Sequence, residues 1–321
     1  MSGVNKTMVT EFILLGFPSL AQFQLLLFVV LLLIYMVTLL GNILIILITM
    51  VDAALHSPMY FFLRNLSFLE MCFTLVIVPQ LLSNLLAEKK SISFLGCMAQ
   101  TSFFVTLGTV ECYLLAAMAY DRYVAICNPL RYGNIMNRRV CIQVMVALWF
   151  SGIPVGTVQI TLLFSLPFCG PNKVNHFFCD GPAMLELVCA DTSLFETYSL
   201  TVTVIVIMSP FVLILVSYTC ILHTVLKMKS AAGRHKAFST CSSHLIVVTL
   251  WYGTGILAYS QPKSDYSPDI KKLLSLSYTV IAPTLNPIIY SLRNREMKEA
   301  LWRTLWRKTA KTPSFITHVL L

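Results

Sequence analysis

A few charged side chains stand inside or at the edge of long apolar stretches of this 321-residue chain, and its chemistry has to be sought there. Asp121 and Arg122 lie side by side at the end of an apolar run that begins near Cys97, while Glu70 and Glu111 fall within such runs. A charge at the centre of a bilayer costs roughly 3 kcal/mol or more, so an acid kept there is a functional group by default, holding a proton, a cation or a polar partner. At the membrane edge a charged pair can instead reach water or pair locally. The catalytic patterns are missing from the sequence: no nucleophile is spaced with a base partner, and no group of side chains has metal-ligand spacing, so an enzyme is not expected. Ten cysteines are spread unevenly. Cys97, Cys169, Cys179 and Cys189 fall in segments that lie outside a membrane in the arrangement below, where oxidation is allowed. Four cysteines permit three pairings, and spacing alone does not choose between them.

The elements that must position these groups are apolar helices. Hydrophobic residues make up 57% of the chain and charged ones only 12%, with a mean hydropathy of +0.77; a soluble domain carries about 25% charged residues. The pattern is that of a polytopic membrane protein. Windows long enough to span a bilayer run near residues 24 to 49, 59 to 83, 97 to 127, 141 to 163, 197 to 226, 237 to 260 and 272 to 292. Cys97 precedes Arg122 by 25 positions, or about 37 Å of helix at about 1.5 Å per residue, more than the roughly 30 Å hydrocarbon core. The two residues therefore belong to opposite membrane faces. With the N-terminus outside, the inner segments hold 16 lysines and arginines and the outer ones 7, which is the positive-inside bias and puts the C-terminus in the cytoplasm. The net charge of +9 follows that placement, with no aromatic-interleaved basic patch, so nucleic acid is not an expected partner. The expected organisation is an extracellular tail at 1–22 with an N-glycosylation acceptor at Asn5, a seven-transmembrane helix bundle at 23–292, and an amphipathic helix and cytoplasmic tail at 293–321. Met297, Ala300, Leu301, Leu305 and Trp306 among Arg and Lys fit a helix lying on the inner leaflet.

Several stretches carry a family resemblance. Asp121-Arg122-Tyr123 at the inner end of a third helix resembles the rhodopsin-like G-protein-coupled receptors, and the longer Met118-Ala119-Tyr120-Asp121-Arg122-Tyr123-Val124-Ala125-Ile126-Cys127 resembles the olfactory receptors among them. Pro58-Met59-Tyr60-Phe61-Phe62-Leu63, Leu66-Ser67-Phe68-Leu69-Glu70 and Lys236-Ala237-Phe238-Ser239-Thr240-Cys241-Ser242-Ser243-His244-Leu245 are similar to that branch, as is Tyr252-Gly253-Thr254 where most rhodopsin-like receptors have tryptophan and proline. Pro283-Thr284-Leu285-Asn286-Pro287-Ile288-Ile289-Tyr290 closes the last helix, with a proline that removes one backbone hydrogen bond. The family more often has Asp where this chain has Glu70.

The resemblance implies a receptor for a small volatile odorant that activates a heterotrimeric stimulatory G protein and raises cyclic AMP at the plasma membrane. It implies that the neighbouring acid Asp121 holds Arg122 at rest, that Arg122 meets the G protein when the helices open, and that Tyr123, Tyr218, Asn286, Pro287 and Tyr290 belong to the switch. It implies bridges Cys97 to Cys179 and Cys169 to Cys189, and a mid-bundle group of Asn42, Glu70, Glu111 and Asn286 that holds a sodium ion or a shared proton; no other cofactor is implied. A ligand pocket is expected between Phe104, Val105, Gly108, Thr109 and Cys112 of the third helix, Val202, Thr203 and Val206 of the fifth, Tyr252, Gly255, Ile256 and Tyr259 of the sixth, and Tyr278 of the seventh. Phe104 stands where amine receptors hold an acid, and no lysine in residues 273 to 292 is available for a Schiff base, so the expected ligand is small, neutral and mostly apolar. A transporter or channel is the rival reading, weakened by the lack of internal repeats and by seven helices that do not divide into equal halves.

Overall fold

A computed structural model describes residues 9–169, 171–259, 267–293 and 295–309, and the structural statements below concern those residues. Asn5 and the end of the tail lie outside them. Seven helices are long and apolar enough to cross a membrane. They are α1 (Gln24–Val51), α2 (Pro58–Leu86), α3 (Phe94–Cys127), α4 (Arg138–Phe164), α5 (Ser193–Lys227), α6 (Ala231–Tyr259) and α7, in which Pro268–Leu276 passes through a π turn at Ser277–Ile281 into Ala282–Arg293. An eighth helix, α8 (Arg295–Thr309), follows.

The starts of the helices are written locally. Ser93 Oγ accepts from Gly96 N–H at 3.0 Å, Asn137 Oδ1 from Val140 N–H at 3.1 Å, and Pro58 opens α2, so donors left over at each first turn are satisfied or absent. Their faces follow from burial. On α1, Leu25, Leu33, Leu40 and Leu47 are 53–69% exposed, an apolar ridge that water would not tolerate and lipid does. α3 is the central element: it packs most extensively with α4 and α5 and also against α2, and Leu114, Leu115 and Ala119 on it are fully enclosed. Close approach there depends on Gly152 and Gly156 of α4. A Cβ at Gly152 would stand 2.6 Å from Val110 Cγ2 and 3.0 Å from the Thr106 carbonyl, and one at Gly156 would collide with Thr106 Oγ1.

The outer segments are folded too. Glu11–Leu14 forms strand β1 of a small sheet, pairing antiparallel with Ser91–Ser93 (β2) and parallel with Lys173–Val174 (β3), and Phe12 and Leu14 are buried beneath it. The expected N-terminal tail is therefore docked from residue 11 onward. At the other end α8 buries Met297 and Ala300 and turns Trp302 outward, as an interfacial helix must. Tyr60 Oη donates to Glu296 Oε2 at 2.8 Å and Arg303 donates to Asp52 Oδ2 at 3.0 and 3.2 Å, tying α8 to the inner ends of α1 and α2. The side chains of Leu305 and Trp306 lie outside the described residues. Spans found from hydropathy were three to six residues short at several ends, because caps and last turns are polar and do not register as apolar windows.

Candidate functional site

A cavity of about 210 Å³ opens between the outer halves of α3, α5, α6 and α7. That is below the range of about 300–1,000 Å³ typical of drug-sized sites. All thirteen residues expected to face a ligand line it: Phe104, Val105, Gly108, Thr109 and Cys112 from α3, Val202, Thr203 and Val206 from α5, Tyr252, Gly255, Ile256 and Tyr259 from α6, and Tyr278 from α7. They converge because α3 repeats a small or apolar residue at three- and four-residue spacing on the face that α5 and α6 leave open. Phe104 sits in an aromatic collar, its ring 5.0 Å from that of Phe178, 5.3 Å from Phe73, 6.1 Å from Tyr278 and 6.5 Å from Tyr259. At the floor, Trp251 Nε1 donates to Cys112 Sγ at 3.3 Å and Tyr252 Oη to the Cys112 carbonyl at 2.8 Å, joining α6 to α3.

Sequence reasoning missed the roof and one wall. Asp180, Gly181, Pro182 and Leu185 from the loop between α4 and α5 close the outer end, and Gln159 of α4 with Glu196 and Ser199 of α5 complete a side. Gln159 Nε2 donates to Ser199 Oγ at 2.9 Å across that side. The loop is held down by the Cys97–Cys179 disulfide, Cα atoms 5.5 Å apart, while Cys169–Cys189, 5.9 Å apart, closes the loop on itself. Thr101 Oγ1 donates to the Cys179 carbonyl at 2.8 Å and the Cys179 N–H to Gln100 Oε1 at 2.9 Å, so the loop also hydrogen-bonds to α3. The expectation of a neutral ligand rested on Phe104 and the absent lysine; two acids, Asp180 in the roof and Glu196 on α5, line the cavity. Asp180 was legible in principle, since it follows the cysteine tied to the outer end of α3.

A buried polar chain leaves the cavity at this point. Tyr259 Oη donates to Asp180 Oδ1 at 3.1 Å and lies 2.7 Å from Tyr278 Oη, which donates to Ser275 Oγ at 3.1 Å; His176 Nε2 is 3.2 Å from the same Ser275 Oγ. Burial pushes the Asp180 carboxyl up to about 6, against the pull of the Tyr259 hydroxyl and the Gly181 N–H. Burial, with the Lys272 ammonium nearby, pushes His176 down to about 3, so its ring is neutral at physiological pH.

Deeper in the bundle, Asn286 Nδ2 donates to Glu70 Oε1, and Asn42 Nδ2 donates to the Thr38 carbonyl at 3.0 Å and the Pro283 carbonyl at 3.3 Å. Both Glu111 oxygens, Asn42 Oδ1 and Asn286 Oδ1 are buried with no hydrogen-bond partner among the described residues. Such an all-oxygen donor set suits a hard cation or a proton on a carboxyl. Among the described residues no three His, Cys, Asp or Glu side chains gather as metal ligands.

At the inner end, Asp121 and Arg122 are both buried. Asp121 Oδ1 accepts from Tyr132 Oη at 2.8 Å, and burial beside that acid raises the Tyr132 phenol. The hydrogen bond at Asp121 thus comes from the segment after α3, a partner not foreseen, while Arg122 Nη1 lies 3.9 Å from Met59 Sδ on α2. Tyr218 Oη is 2.7 Å from His244 Nδ1, and His244 Nε2 is 3.1 Å from the Leu115 carbonyl. A carbonyl only accepts, so the neutral ring carries its hydrogen on Nε2 and Tyr218 donates to Nδ1. His244, which links α5, α6 and α3, was read in the sequence only as part of a motif. Tyr123 packs between α5 and α6 near Ile221 and Cys241, Tyr290 is buried, and Pro287 lies against Gly41, where a Cβ would come within 2.9 Å of it.

Comparison with known proteins identifies the family. A family model described as olfactory receptor matches residues 31–308. Human olfactory receptor 10A5 is 62% identical over 307 residues, covering 95% of this chain and 97% of its own. Human olfactory receptors 10A7 and 10A2 are 59% and 61% identical, covering 95% and 92% of this chain and 96% and 98% of their own. The chain belongs to the olfactory receptor family, a family of odorant-sensing G-protein-coupled receptors rather than enzymes, and is a multi-pass protein of the plasma membrane.

Proposed function

We propose that a small, mostly apolar odorant binds between the outer halves of α3, α5, α6 and α7, and that binding drives coupling to a stimulatory G protein and a rise in cyclic AMP. The observation that carries the reading is the cavity, whose floor is the pair of hydrogen bonds from Trp251 and Tyr252 to Cys112. A ligand pressing on Tyr252 loads one of the two hydrogen bonds that join α6 to α3 at that level, and α6 carries His244 and Cys241 next to Tyr218 and Tyr123 at its inner end. Outward movement of α6 there frees the surroundings of Arg122 for the G protein. Asn42, Glu70, Glu111 and Asn286 hold a sodium ion or a shared proton in the resting state, which the unpartnered oxygens favour. The N-terminus is extracellular, with Asn5 glycosylated, and the C-terminus cytoplasmic; the lysine and arginine distribution supports that orientation.

The test is cyclic AMP in cells expressing the chain with the olfactory stimulatory G protein, over a panel of small volatiles. Tyr259→Phe removes a hydroxyl that bonds Asp180 and Tyr278, a loss of about 1 kcal/mol and so a several-fold shift in potency for ligands that touch it. A response whose potency ignores Tyr259 and the α3 lining residues would rule this cavity out as the odorant site.

A further inference from the structure

The polar groups of the cavity have an unequal distribution of donors and acceptors. Around its wall, Thr101, Thr109, Tyr252, Tyr259, Tyr278 and Trp251 each direct a hydrogen at a protein acceptor, with Thr109 Oγ1 donating to the Val105 carbonyl at 2.8 Å and the others as described above. Their protons are spent. Apart from the Ser199 and Thr203 hydroxyls on the α5 side, what the wall offers inward is lone pairs, above all on the Asp180 carboxylate. Asp180 is 8% exposed and accepts from the Tyr259 hydroxyl and from the Gly181 N–H; a carboxylate has room for about four hydrogen bonds. Gly181 and Pro182 line the cavity beside it.

Charge points the same way. Among the described residues two acids, Asp180 and Glu196, line the cavity and no lysine, arginine or histidine does. Lys271 acts on Asp180 only from a distance, and no ion pair to Asp180 exists among the described residues. A buried acceptor left short of donors costs free energy until something supplies them. A ligand carbonyl, ester or ether cannot, because it brings only further lone pairs toward the carboxylate.

We propose that Asp180 selects the ligand's head group: the outer end of the cavity takes a hydrogen-bond donor, a hydroxyl or an ammonium, carried on an apolar body that fills the space beside Phe104. The proposal rests on this cavity being the odorant site and adds the class of ligand. Hydroxyl and ammonium share the required chemistry, and the experiment separates them.

Hexanol, hexylamine, hexanal and methyl pentyl ether have one length and differ in head group. Their binding is measured by competition on the purified full-length receptor in lipid nanodiscs, corrected for partition into the lipid, and their cyclic AMP responses are recorded in parallel in cells. Hexanol, hexylamine or both should bind at least about tenfold tighter than hexanal and the ether, the ratio worth one hydrogen bond to a charged group. Asp180→Asn should erase that preference while leaving affinity for the ether unchanged. Tyr259→Phe, which keeps the carboxylate, should retain it. Equal binding of all four, binding of none by folded receptor, a preference that survives Asp180→Asn, or one lost in Tyr259→Phe would each overturn the proposal. Head-group preference in binding without any cyclic AMP response would leave the Asp180 assignment standing and refute the coupling. Equal responses to all four would do the reverse.

Discussion

Arg122 and Asp180 show two ways in which a residue's surroundings decide its role. Arg122 is a cation buried at the end of α3 away from the cavity, and in the proposed switch it becomes available when α6 moves. Arg122→Ala should abolish the cyclic AMP response at unchanged surface expression; a receptor that still responds normally would remove Arg122 from the switch. Asp180 and His176 are tested by pH instead. His176 is held at about 3 in the folded chain against an ordinary 6.5, so between those values the unfolded chain binds one more proton and stability falls as pH drops. Asp180 is held at about 6 against an ordinary 3.8, so between those values the folded chain binds one more proton and stability falls as pH rises. From about pH 4 to 6 the two slopes oppose each other. Thermal melting of the purified receptor should show this: Asp180→Asn removes one slope and should make the melting temperature fall on acidification across that window more steeply than in wild type. An identical pH profile in both would mean that the Asp180 carboxyl is not held up by burial as described. At this scale the helix residues of the site were legible, because motif and spacing mark them. Tyr132 was not, and Asp180 only through the cysteine beside it, because their roles come from what the loops bring over the helix ends.

The helices themselves were legible because an apolar run of their length has few other fates, and polar ends alone blurred their limits. What hydropathy cannot register is how closely two helices approach. The Gly152-Ile153-Pro154-Val155-Gly156 segment of α4 reads as an ordinary apolar window, yet its two glycines decide how near α4 lies to α3. Without side chains there, the Thr106 and Val110 turn of α3 fits against the α4 backbone, and the same α3 face continues into the cavity at Thr109 and Gly108. Gly156→Val should therefore cost at least about 1–3 kcal/mol of overpacking. The expected result is loss of most surface receptor by flow cytometry. Gly253→Ala on α6, where an added Cβ meets nothing within 4 Å, is the control and should be expressed normally. Equal expression of both variants would show that α3 and α4 do not meet this tightly. The π turn in α7 and the three short strands were illegible for another reason: strands of two to four residues have too little pattern to read, and their pairing joins residues 11 to 174 across the whole outer face.

Over the whole molecule, the outer loop roofs a cleft between helices, and the disulfides are what make that roof durable. Cys97–Cys179 spans 82 residues and fastens the roof to α3, whereas Cys169–Cys189 spans 20 and staples the loop to itself. On chain entropy the longer closure is worth roughly 1 kcal/mol more, a small difference set beside the difference in what each one holds. Without the first, the Thr101 and Gln100 hydrogen bonds are left to hold Cys179, and Asp180 loses its fixed place above Tyr259. Without the second, the loop loosens at Phe168 and Val188, which form an isolated bridge away from the cavity lining. The paired serine variants should therefore part company. Cys97→Ser with Cys179→Ser should lose the odorant response or shift its potency by more than about tenfold in the receptor that still reaches the surface, the size of effect expected when one hydrogen bond to a charged group is lost. Cys169→Ser with Cys189→Ser should reduce expression with little change in potency. Concentration-response curves normalised to surface receptor decide it, and equal potency shifts in both pairs would mean that the roof is positioned by the loop as a whole rather than by its anchor on α3.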